Sequence, residues 1–151
     1  MLQQFKESRS LGGVQAKPHD YPERLAQFIL ENQKTKFEWG RMDCARFAIR
    51  CQLATFGFTP WPEFLTDKRM SQKAAMKIIK DLGHNSLWDL VDTRQQRVHN
   101  VLMAKRGDIV GHYVKGEEAM GVMLGTCFVN VSDDGLVYAP LSQAVVAWEF
   151  Y

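Results

Sequence analysis

The chain has 151 residues, 46% of them hydrophobic and 24% charged, with a formal net charge of +2. That is enough chain for one sizeable core, at ordinary globular usage, which argues against disorder over most of the length. The small charge gives no ground for a nucleic-acid partner, and no apolar run approaches the ~20 residues of a membrane span.

The opening residues, MLQQFKESRSLGG, lack the apolar stretch of a signal peptide, so synthesis and folding in a cytoplasm are expected. Residues 1–18 read as a loose arm, and residues 19–151 as a single domain. Next, DYPERLAQFILENQ predicts a helix: Asp20 as cap, Pro22 in the first turn, Glu23 completing a capping box, and Tyr21, Leu25, Phe28 and Ile29 as its apolar stripe.

A second helix is predicted from Cys44 to about Thr55. Trp39-Gly40 makes the turn before it, and Asp43 is a good N-cap. Phe47, Cys51 and Ala54 share a stripe that Ala45, Ala48 and Ile49 widen, so this helix should be central. GFTPWP breaks the chain. SQKAAMKIIKDL predicts a third helix, capped by Ser71 and stopped by Gly83. Ala75, Ile78, Ile79 and Leu82 should face inward, and Lys73, Lys77 and Lys80 outward. SLWDLV adds a short helical turn.

From residue 108 the pattern changes. DIVGHYV, AMGVMLG, TCFVNVS, LVYAPL and AVVAWEF are short β-branched or aromatic runs, split by KGEE, DDG and SQ. They read as an antiparallel meander, and helices followed by strands imply an α+β fold with the sheet packed on the helices. Trp148 continues an alternating strand and belongs in the core.

Cys44, Cys51 and Cys127 are odd in number and lack CxxC spacing, and His19, His84, His99 and His112 lack a paired spacing. No disulfide scaffold, metal site or cofactor is expected. Cys44 itself poses a question. A cysteine in the first turn of a helix is either a small buried hydrophobe or a nucleophile whose pKa the helix start lowers.

The WG-x-x-DC helix start at Trp39, Gly40, Asp43 and Cys44, the Gly107-Asp108 strand opening, and AMGVMLG over 119–125 together resemble the NlpC-type branch of the papain-like superfamily. These are cell-wall cysteine peptidases, many of them carried on bacteriophage tails. More narrowly, with its helical insert and AWEF ending, the chain resembles a group of small phage proteins of unassigned function, often encoded among tail-assembly genes. The resemblance implies a papain-like NlpC-type fold over roughly residues 20–150, with Cys44 at the nucleophile position. It places the general base at the residue opening the second strand, which here is Ala119. The third polar position falls on Val131, with Asn130 adjacent but of opposite strand parity.

His112, one strand earlier, is the candidate replacement base. A KGEE loop pairing Val114 with Ala119 would pair His112 with Gly121, on the same face as Ala119. With two of three positions apolar, the sequence favours a vestigial Cys44. It points to a non-catalytic structural part of a phage tail tip or baseplate, made in the host cytoplasm, carried in the virion, and partnered by other tail proteins. The alternative is an active peptidase or amidase, with Cys44 as nucleophile, His112 as base and peptidoglycan as substrate. A tail-assembly chaperone absent from the virion is a third class.

Overall fold

The computed structural model describes residues 17–150. Most of the proposed arm, residues 1–16, lies outside these, as does Tyr151. Among the described residues four α-helices come first: α1 (Tyr21–Glu31), α2 (Cys44–Phe56), α3 (Gln72–Asp81) and α4 (Leu87–Asp92). Six strands follow: β1 (Gln96–Arg97), β2 (Ile109–Val114), β3 (Glu117–Met123), β4 (Cys127–Ser132), β5 (Gly135–Pro140) and β6 (Val146–Glu149). The architecture is α+β, with helices packed on one antiparallel sheet.

Strand order is β1-β6-β2-β3-β4-β5. The expected meander therefore holds from β2 to β5, but β6 returns to the free edge of β2, and the two-residue strand β1 closes that side. A pair of residues has too little pattern to be legible in sequence.

α2 crosses the α-facing side of the sheet. Phe47, Ala48, Ile49 and Cys51 form a core with Leu25 and Ile29 of α1 and with Ile109, Met120, Val122, Val129, Val131 and Trp148 of the strands. The other face carries a second apolar layer, with Val110, Met123, Phe128 and Ala147 under Val98, Val101 and Leu141. Because side chains alternate along a strand, both faces are covered and β2 and β3 are buried except at their shared hairpin end, where Tyr113, Val114 and Glu117 are exposed.

Three sequence expectations change. Asp20 sits at the N-cap of α1 but accepts no capping hydrogen bond; its carboxylate pairs with Arg24 instead. Ala54, placed on the inner stripe of α2, is exposed, whereas Gln52 and Thr55 are buried. Those polar groups are satisfied: Gln52 donates to Gln95 and accepts from Thr59, Trp61 donates to Gln95, and Gln95 donates to the Glu149 carbonyl. Leu82, expected inward on α3, is 53% exposed because the helix ends one residue before it.

Phe47 has no exposed surface. Phe47→Ala should therefore lower stability by ~3–5 kcal/mol. Lys77, in an exposed pair with Asp81, should cost about 0.5 kcal/mol or less when changed to Ala. Thermal denaturation of the two variants checks the assignment of helix faces.

Candidate functional site

The site is built on the turn before α2. Gly40 has φ +86°, and a Cβ there would fall 2.3 Å from the Lys68 carbonyl oxygen, so only glycine fits. The turn brings the Gly40 N–H to Asp43 Oδ2 at 2.9 Å. Asp43 Oδ1 caps the helix by accepting the Arg46 N–H at 2.9 Å, and Oδ2 also accepts Arg46 Nη1 at 2.7 Å. Both side chains are buried. Arg46 Nε donates to Thr66, whose hydroxyl donates back to the Gly40 carbonyl. Turn, helix start and the 66–70 segment are thus one knot.

Cys44 follows this cap and packs against the α2-side core. Burial pushes its thiol up to about 11, partly offset by the Met120 main chain, while the Asp43 carboxylate adds to the rise. Any lowering by the helix start is outweighed, because a thiolate packed against apolar groups loses more hydration than the helix amides restore.

His112 lies on the other side of the sheet. The β2–β3 hairpin turns through Lys115-Gly116 alone, both at positive φ (52° and 79°). Glu117 and Glu118 therefore belong to β3, and His112 pairs with Ala119 rather than Gly121. The two-residue shift preserves the face: His112 does share Ala119's side. That side, however, carries Val110 and Met123, and the imidazole packs on Phe128 at 4.7 Å between ring centres. Met120, whose side chain points at α2, and Ala119 face opposite ways. Cys44 and His112 are consequently on opposite faces, and no hydrogen bond joins them.

They nevertheless approach the main chain of one residue, Met120. β3 and β4 pair at Val122↔Val129 and Met123↔Phe128. Continuing that ladder would pair Met120 with Val131. Instead the Val131 N–H turns to Asn130 Oδ1 at 2.7 Å, and the Met120 main chain is met by the Cys44 thiol and the His112 imidazole. The gap lets side chains reach the backbone where a strand would otherwise cover it.

The Asn130–His112 contact fixes the imidazole's state. Asn130 Oδ1 is engaged by Val131, so its amide nitrogen is the atom 3.0 Å from His112 Nε2. An amide nitrogen only donates, so Nε2 accepts and the ring proton sits on Nδ1. Burial lowers the His112 pKa, against a smaller opposing effect of the Met120 main chain. An imidazolium would aim a second N–H at the Asn130 amide hydrogens. Parity places Asn130 away from Val131, as the sequence indicated, and on the side where His112 lies.

Beside Cys44 opens a cavity of 360 Å³ lined by Trp39, Phe64, Met76, Ile79, Leu87 and Glu118, among others. Glu118 faces the α2 side, and its Oε1 accepts the Trp88 N–H at 3.1 Å. The sequence concealed it because KGEE reads as a loop; Lys-Gly is not among the strong two-residue hairpin signals. No group of three or more metal-ligating side chains forms among the described residues.

The chain belongs to the family described as a domain of unknown function (DUF6950), which matches residues 16–150. No curated protein matches it.

Two outcomes follow from this geometry. Asp43→Ala leaves the Arg46 guanidinium buried without its partner and should cost ~3–5 kcal/mol in denaturant unfolding. The folded His112 pKa lies below its ordinary value of 6.5, so its contribution is fully present above about pH 6.5 and is lost as pH falls through that window. His112→Gln should flatten the acid side of a plot of melting temperature against pH.

Proposed function

We propose that this domain is a non-catalytic member of the NlpC-type papain-like superfamily, acting as a structural part of a bacteriophage tail tip or baseplate. The phage-tail element rests on the resemblance carried by Trp39, Gly40, Asp43 and Cys44, by Gly107-Asp108 and by residues 119–125. In this reading the protein is made in the host cytoplasm and enters the virion, where its partners are other tail proteins.

The non-catalytic element rests on one observation: Asn130 presents a donor to His112 Nε2. A cysteine peptidase needs a thiolate–imidazolium pair, and its third residue must accept from the imidazolium. Here that acceptor is spent on the Val131 N–H. The Cys44 thiol, at about 11, also stays protonated at neutral pH. The motif residues have structural duties that account for them without catalysis. Gly40 and Asp43 form the cap. Gly107 has φ +91°, with Phe56 packed where a Cβ would stand, and Asp108 accepts the Lys105 and Phe150 N–H groups.

One observation favours the other reading, a cell-wall peptidase: a Cys, a His and an Asn all converge on the β3–β4 gap at Met120. Site-resolved alkylation with iodoacetamide, alongside digestion of purified peptidoglycan, separates the two. The expected result is slow alkylation of Cys44 at pH 7, accelerating only toward its pKa of about 11, no muropeptide release, and particles that still incorporate Cys44→Ala. Fast alkylation in mild acid, with muropeptide release lost in both Cys44→Ala and His112→Ala, would overturn the proposal.

A further inference from the structure

The cavity beside Cys44 opens over the capped start of α2, with Asp43 and Arg46 on its floor. Its walls come from Trp39 and the start of α2, from α3, the start of α4, the 62–64 turn and the tip of the β2–β3 hairpin. Its 360 Å³ is within the range of ligand pockets. The lining is mainly apolar: Phe64, Ala75, Met76, Ile79 and Leu87, with Met76 45% exposed although it sits among apolar neighbours.

The charges around it are one-sided. Asp43 and Arg46 neutralise each other in their buried pair. Among the described residues, Glu117 and Glu118, which close the hairpin side, form no salt bridge; Glu118 spends one oxygen on the Trp88 N–H and feels the charge of Arg97, which is itself paired with Asp92. An apolar trough ending in two carboxylates, neither of them in an ion pair among the described residues, complements an apolar side chain followed by a cation. Carboxylates at the rim of a groove disfavour anionic ligands.

We infer that this groove docks a peptide segment of a partner protein in which an aliphatic or aromatic residue lies next to Lys or Arg. The apolar residue enters between α3 and α4, and the cation reaches Glu117 and Glu118. The inference rests on the assembly reading only in that the occupant belongs to a partner. The groove's chemistry is independent of whether Cys44 reacts.

The test is selection of a displayed random dodecapeptide library on the intact protein, followed by fluorescence-polarisation titration of the enriched peptide. Enriched sequences should combine an apolar residue with an adjacent Lys or Arg. Glu117→Lys/Glu118→Lys and, separately, Met76→Glu should each weaken binding at least about tenfold, while Lys77→Ala leaves it unchanged. Met76 and Glu117 are surface positions, so folding of these variants is checked by their melting curves; if Glu118→Lys unfolds, Met76→Glu and Glu117→Lys alone carry the test. Enrichment without basic residues, no enrichment, or binding insensitive to the groove variants overturns the inference. So does saturable binding of a synthetic peptide copying residues 2–10 of this chain in place of selected sequences, or concentration-dependent dimerisation abolished by Met76→Glu, since either assigns the groove to the chain itself. Muropeptide release is absent from these readouts, so failure here leaves the non-catalytic reading separately judged.

Discussion

The buried Asp43–Arg46 pair is the constraint on which the rest of the site depends. One carboxylate caps α2, holds the Gly40 turn and neutralises a guanidinium that in turn reaches Thr66. Burying two charges is costly, and the cost is met only when every lone pair and N–H finds a partner. Here geometry supplies them: glycine at positive φ brings the turn's amide inward, and the i, i+3 spacing on a helix puts Arg46 over its own cap. Cys44 is placed by this knot, one residue past it, with its side chain against the sheet.

The sheet answers with an interruption. Between Met120 and Val131 the β3–β4 ladder stops, and the freed main-chain groups are taken by side chains of Asn130, Cys44 and His112. Unpaired backbone polar groups inside a protein are costly, so such a break persists only where substitutes are at hand. The break lets a thiol and an imidazole on opposite faces approach the main chain of the same residue, Met120, without touching each other. It also consumes the Asn130 carbonyl oxygen, which sets the polarity of the Asn130–His112 bond.

Aromatic packing fixes the layer between these features. Trp88 stacks over Gly111, where a Cβ would fall 2.8 Å from its ring, and its indole N–H reaches the Ala119 carbonyl at 3.1 Å. Trp148 lies at 6.3 Å from Trp88 and donates to Asp92. These contacts tie α4 to the centre of the sheet, and α4 in turn presents Leu87 and Leu90 to the groove beside Cys44.

By itself the sequence determined the local, short-range features. The start of α2 at Cys44 with Asp43 as its cap, the Ser71 cap and Gly83 stop of α3, and five of the six strands follow from capping chemistry and hydrophobic period, which act over a few residues. The tertiary structure alone decided what depends on register and on partners distant in the chain. The Lys115-Gly116 turn moved the hairpin register by two, the return of β6 beside β2 placed Trp148, and the failed Met120–Val131 pairing turned the Asn130 carbonyl oxygen to Val131 and its amide nitrogen to His112. Each of these is a competition among backbone hydrogen bonds across separate strands. The winner is set by which groups are buried together, information that no single stretch of sequence carries.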